Sequence, residues 1–213
     1  MASNIRNTTS ILALTAAAAF GQYKLEPGGA PPAELAAPIA AELQPAGHKV
    51  IGKDGKVLCE IWIRKAAQTG APTTETDVTF KTLTFGSVVG AISFPGKGED
   101  RRGQPLKAGV YTLRFALQPV NGDHQGVAPQ RDFLALAPAA ADTDSKPVTN
   151  VDALMNLSRK ASGNPHPAVL SMWKVEDADF KPGFSQMGEH DWVLQVAVGD
   201  AKVAIVLVGK AEG

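Results

Sequence analysis

The chain is short of the residues and patterns on which several classes of protein depend. It has one cysteine, Cys59, so no internal disulfide forms and stability rests on packing. It has no excess of charge: 21 Lys+Arg face 21 Asp+Glu over 213 residues. A balanced surface gives no electrostatic reason to bind nucleic acid or an anionic membrane, both of which reward clustered positive charge. Beyond the N-terminal region no apolar run is long enough to read as a membrane span. Also missing are a G-x-S-x-G nucleophile elbow, a phosphate-binding P-loop, a G-x-G-x-x-G at a strand–helix junction, and HExxH or CxxC spacing. Those absences exclude the hydrolase, nucleotide-binding and zinc classes that carry sequence signatures.

What is present begins with MASNIRNTTSILALTAAAAFGQ. One positive charge at Arg6, an apolar run from Ile11 to Phe20 and a small-residue stop at Ala19-Phe20-Gly21 have the three-part layout of a secretory signal peptide. The run is about half the length that crosses a bilayer. Residues 1–21 are therefore read as a leader, the mature chain as starting near Gln22, and the protein as exported to a periplasmic or extracellular space with no integral membrane segment. Removing the leader takes away Arg6 and no acid, leaving 20 basic against 21 acidic residues, a formal charge of −1.

Residues 22–46 are rich in Pro and Ala, and the rest, 47–213, suits one domain with a core of its own. The first half of the Ala/Pro-rich segment reads as an extended linker. The stretch Pro32 to Leu43 predicts a short helix with Leu35, Ile39 and Leu43 on one side, weakened by Pro38. From His48 the chain becomes strand-like: HKVI, the turn KDGK and VLCEIWIRK form a hairpin signal around Asp54-Gly55. Strands are expected again at TDVTFKTLTF, SVVGAISF, GVYTLRFALQP and DFLALAP. Thr149 or Asn150 caps a helix in which Val151, Leu154, Leu157 and Ser158 share a face and Gly163 marks the end. The C-terminal runs HDWVLQVAVG and AKVAIVLVG predict a central hairpin buried on both faces. Repeated strands with so few helices predict a mainly β fold, an antiparallel β-sandwich of jelly-roll or Ig-like type with one or two short helices. Cys59 falls on the Ile61 and Ile63 face of its strand and reads as a small core residue.

GQPLKAGVYTLRF, Gly103 to Phe115, carries the pattern G-x-x-L-x-A-G-x-Y-x-L. It resembles a strand-turn-strand unit of exported bacterial β-sandwich proteins of unknown function. The resemblance covers about a dozen residues; it implies fold and export and transfers no catalytic residue. In physical terms Leu106 closes a turn, Gly109 permits a tight backbone, and Tyr111, Leu113 and Phe115 point into a core.

Three stretches hold candidate chemistry. NGDHQGVAPQRDF, Asn121 to Phe133, concentrates Asp123, His124, Arg131 and Asp132. On a functional reading Asp123 and His124 are an acid–base or metal-binding pair and Arg131 holds an anion; on a structural one the loop is a turn and Arg131 pairs with an acid. MGEHD, Met187 to Asp191, combines a thioether, carboxylates and an imidazole. With His124 and His166 its Met187 and His190 could hold copper or zinc, against the alternative of a solvated turn. GNPHP, Gly163 to Pro167, fixes His166 between two prolines, either to present it to a partner or only to stop the helix. Trp62, Trp173 and Trp192 could form a sugar platform if exposed, and otherwise belong to the core.

The expected function is a non-enzymatic binding or interaction module for a protein or small-molecule ligand, without a cofactor. Its recognition surface is the loop Asn121 to Asp132 joined by GNPHP, because loops carry function on a rigid scaffold. A metal-binding protein is the second reading, and a hydrolase using Asp123 and His124 to activate water the third.

Overall fold

The computed structural model describes residues 22–120 and 130–211. In chain order they form β1 (Lys24–Pro27), α1 (Ala37–Ala40), β2 (His48–Ile51), β3 (Val57–Ile63), β4 (Val88–Phe94), β5 (Gly98–Glu99), β6 (Pro105–Leu106), β7 (Gly109–Leu117), β8 (Asp132–Pro138), α2 (Val151–Ser162), β9 (Val169–Lys174), β10 (Gly183–Met187), β11 (Asp191–Val198) and β12 (Ala201–Val208). The fold is mainly β and antiparallel, with two short helices. Ten strands hydrogen-bond into one sheet of order β1-β2-β3-β4-β7-β8-β9-β12-β11-β10, and β5 and β6 make a small hairpin of their own.

The sheet turns on itself at β9. Its first half, Val169 to Ser171, pairs with Ala135, Leu134 and Phe133 of β8; its second half, Met172 to Lys174, pairs with Ile205, Ala204 and Val203 of β12. A strand that divides itself between two neighbours is a corner over which a sheet folds onto its own interior. The two ends of the order then approach one another. The ring of Tyr23, just before β1, meets Trp192 of β11 edge-on at 5.2 Å, and Phe184 of β10 lies 5.5 Å from the same indole. The outcome is a nearly closed, barrel-like sheet, where the sequence predicts two distinct layers.

Strand alternation decides what lies inside. Along β7, Tyr111, Leu113 and Phe115 enter the interior beside Leu134, Leu170 and Ile205, each such side chain contributing about 1.5–3 kcal/mol by its removal from water. The motif residues Leu106, Tyr111, Leu113 and Phe115 are all buried, as the sequence predicts. The Tyr111 hydroxyl, whose pKa burial raises, donates to the Lys107 carbonyl at 2.7 Å. The outer face is covered in patches: Leu35, Ile39 and Leu43 lie on Trp62 and Val88, and α2 lies on Phe133, Ala135 and Val169.

Several elements depart from the sequence prediction for local reasons. The helix expected over Pro32 to Leu43 is four residues long. Pro38 has no N–H and is accommodated in a first turn, so the helix starts at Ala37. Leu35, Ile39 and Leu43 nonetheless face one side and are 5%, 0% and 1% exposed. KLEP, read as linker, is an edge strand paired with β2. TDVTFKTLTF is not a strand: Val78 and Phe80 are buried, but Asp77 has φ 58° and the amides of Thr79 and Phe80 donate to the Asp132 carboxylate at 2.8 and 3.0 Å. A carboxylate satisfies the donors that a neighbouring strand would otherwise have to take. The C-terminal hairpin is buried on both faces but stands towards one end of the sheet, where only β10 lies beyond it. Helix α2 matches its prediction at both ends. Asn150 Oδ1 accepts from the Ala153 amide at 2.8 Å, and Gly163 caps with φ 68°. Its Val151, however, is 56% exposed.

Cys59 is fully buried, and burial, with Glu60 adding to it, pushes its thiol from 9.0 up to about 12. The thiolate, which is the nucleophile, is therefore almost absent at neutral pH. Native protein at pH 8 is expected to resist iodoacetamide over hours, and protein in denaturant to react within minutes; rapid native labelling, read by intact mass, would contradict this burial. Because the folded pKa is the higher one, the associated stability is intact below pH 9 and falls as pH rises towards 12.

Candidate functional site

Helix α2 covers only part of the outer face above β8 and β9. Beside it a cleft of about 770 Å³ opens, bounded by α2, the segment 70–85, the ends of β7 and β8, and the turn after α2. Its apolar surface comes from Phe85, Phe115 and Phe133, with Val151 and Met155 from α2 and Val169 from β9. The cleft runs along β8: Val169 pairs with Ala135, while Arg131, which also lines it, is four residues earlier, about 13 Å away at the rise of a strand.

The segment 70–85 is held in place by Asp132. This residue is fully buried, and its two oxygens are taken by the amides of Thr79 and Phe80. Arg131 braces the same segment from outside, with Nε on the Gln118 carbonyl at 2.7 Å and Nη1 paired with Glu75 at 2.7 Å. The structural reading of Arg131, an arginine paired with an acid, is thus realised, and Arg131 lines the cleft as well.

At the other end the GNPHP turn forms the rim. His166 is exposed and lines the cleft; its amide donates to Asn164 Oδ1 at 2.8 Å. Gln104 ties this turn to the β5–β6 hairpin: its Nε2 donates to the Pro167 carbonyl at 3.1 Å and its Oε1 accepts from Asn164 Nδ2 at 2.7 Å. Arg159 of α2 reaches the same turn, Nε to the Pro165 carbonyl at 2.7 Å. Buried Asp100 fixes the hairpin, accepting from the amides of Arg102, Gln104 and Val169. Arg102 lines the cleft from there.

The structure therefore brings Arg131 and His166 to one cleft and buries Asp132 beneath it. Asp123 and His124 lie outside the described residues, although Pro119 and Arg131, on either side of that stretch, line the cleft. Met187, at the end of β10, and His190, in the β10–β11 turn, are exposed and not among the cleft residues; His190 Nε2 is 3.7 Å from Glu189. Among the described residues no three or more His, Cys, Asp or Glu are grouped as a metal site, and none of the helices is long and apolar enough to cross a membrane. Trp62 is buried, with Nε1 donating to the Gly29 carbonyl at 2.9 Å, while Trp173 and Trp192 are half-buried.

Sequence reasoning did not find the apolar half of this site or its arginines at positions 102 and 159. Phe115 and Phe133 read as core in strands, and Arg159 is not singled out in the helix pattern. The paired arginines in FPGKGEDRRGQP were the available signal, in a loop whose acids offset its bases. Comparison of the chain with protein-family models, curated proteins and solved structures yields no match.

Proposed function

We propose that this chain is an exported, non-enzymatic binding module that takes a small, largely apolar molecule into the cleft beside α2. One observation carries the reading: the cleft, about 770 Å³, falls within the roughly 300–1,000 Å³ of small-molecule sites and combines an apolar lining with a few convergent polar groups. Export rests on the leader-like residues 1–21. The resemblance of Gly103 to Phe115 to a unit of exported bacterial β-sandwich proteins of unknown function supports the same setting.

The test uses N-phenyl-1-naphthylamine, a neutral dye that brightens on leaving water. Saturable binding is expected. Val151→Trp, at an exposed helix position on the cleft wall, should weaken it about tenfold, or 1.4 kcal/mol, with the melting temperature within about 2 °C of the parent. Val57→Trp, on an exposed strand position that does not line the cleft, is the control. Dye binding that is non-saturable, or unchanged in Val151→Trp, would remove the support for the cleft as the binding site.

A further inference from the structure

We infer that the molecule taken by the cleft is a single-chain amphiphile with an anionic head, seated where Arg102, Arg159 and the Pro165–Pro167 turn converge. This inference rests on the proposed use of the cleft and adds the class of ligand.

The polar lining of the cleft is unevenly committed. At the β7–β8 end the charge of Arg131 is met by Glu75 at 2.7 Å, and its Nε and Nη1 also donate to the Gln118 carbonyl at 2.7 Å and the Thr76 carbonyl at 3.3 Å. Glu75 is the one carboxylate among the described lining residues, and this pairing neutralises it. At the GNPHP end the arginines are less occupied. Arg159 spends Nε on the Pro165 carbonyl and Nη1 on Asn156 Oδ1, both at 2.7 Å, and among the described residues its Nη2 has no partner. The Arg102 guanidinium pairs with no described carboxylate. Nearby Asp100 is 2% exposed and occupied by amides and by Gln104, and Asp191 is taken in a two-point pair by Arg101.

The two arginines flank one turn, because the hairpin carrying Arg102 is bonded to Asn164 and Pro167 through Gln104 and Arg159 is bonded to Pro165. His166 belongs to that turn and lines the same cleft. Guanidinium N–H groups with spare donors are matched by a carboxylate or phosphate, whose charge shortens and strengthens the bond. Lys81, on the segment 70–85, also lines the cleft and pairs with no described carboxylate, but it stands alone there, whereas two guanidiniums line the cleft about the GNPHP turn. From this end apolar surface continues through Met155, Val169 and Phe133 towards Arg131. An anion at one end and an alkyl chain along the remainder satisfies both halves, whereas a wholly apolar ligand leaves the arginines unused and a small anion leaves the aromatic floor wet.

Displacement of N-phenyl-1-naphthylamine by dodecanoate, dodecanol and dodecyltrimethylammonium, each below its micelle concentration, tests the assignment. Dodecanoate should compete about tenfold better than dodecanol, the worth of one charge-assisted contact, and the cation worst. In R102Q/R159Q the ratio of dodecanoate to dodecanol should fall to about one, whereas R102Q/R159K should keep most of the preference that R102Q alone retains, which separates loss of charge from loosening of the Pro165 contact. Equal competition by dodecanoate and dodecanol in the parent overturns the anionic head and leaves the apolar cleft standing. A preference that survives R102Q/R159Q overturns its location. Failure of the dye and all three amphiphiles to bind overturns the cleft reading itself.

Discussion

Asp142→Ala is expected to lower the melting temperature by about 10 °C or more. Arg114, on the outer face of β7, is completely buried. Its Nε and Nη2 clasp the Asp142 carboxylate at 2.6 and 2.7 Å, and Nη1 donates to the carbonyls of Gly86 and Lys146 at 2.6 and 2.9 Å. Nη2 also reaches the Asp144 carbonyl, and Thr112 donates to Asp142 from two residues earlier on the strand. One guanidinium thus organises the whole connection from β8 to α2. Removing its carboxylate strands a buried cation, at a cost of roughly 3–5 kcal/mol; for a domain of this size each kcal/mol is roughly 2–4 °C. Replacing both partners, Arg114→Met with Asp142→Leu, should recover most of the loss, because the penalty lies in the uncompensated charge more than in the absence of the pair. Calorimetry on the single and double variants is the measurement. A single variant within about 2 °C of the parent would show that water or a rearranged acid reaches Arg114.

Asp132→Ala should cost about 2–4 kcal/mol, or roughly 4–16 °C, by leaving the amides of Thr79 and Phe80 without acceptors at about 1–3 kcal/mol each. The effect has a local signature that general destabilisation lacks. Hydrogen exchange at Thr79 and Phe80 should accelerate far more than at Leu134 in the middle of β8, and binding of the naphthylamine dye should weaken because Val78 and Phe80 line the cleft. Asp132→Asn, which keeps one carboxamide oxygen as acceptor, should give about half the loss. Unchanged exchange at Thr79 and Phe80 would mean that these amides have another acceptor.

These two acids show where sequence reading stops. Alternation along GVYTLRFAL places Thr112 and Arg114 on the face opposite Tyr111, Leu113 and Phe115, and that much is legible. Whether that face meets water depends on the 139–148 connection folding over it, a matter of contacts between distant residues. Asp132 reads as the polar end of a loop rich in candidates for chemistry; its burial follows from the segment 76–80, more than fifty residues earlier, closing over it. The same contact explains the missing strand at TDVTFKTLTF. Its apolar alternation is real, and Val78 and Phe80 do enter the core, but their backbone is satisfied by a side chain. His166 and Arg131 could be singled out from their loops, whereas Phe85, Phe133, Met155 and Val169 could not, because an apolar residue reads as core whether it meets another side chain or a cleft.

The sequence by itself determined the mainly β, antiparallel class, the KDGK hairpin, helix α2 with its Asn150 and Gly163 ends, the inward face of Tyr111, Leu113 and Phe115, and the burial of Cys59. Each of these depends on near neighbours: turn chemistry, caps and a two- or four-residue periodicity that a short window contains. The tertiary structure alone decided that the strands join in one sheet creased at β9, that KLEP is its edge, that Arg114 and Asp132 are buried anchors, and that α2, segment 70–85 and the GNPHP turn leave a cleft between them. The reason is that a cleft and a buried charge are properties of surfaces brought together from far along the chain, and no local pattern specifies what will lie opposite a residue once the sheet has closed.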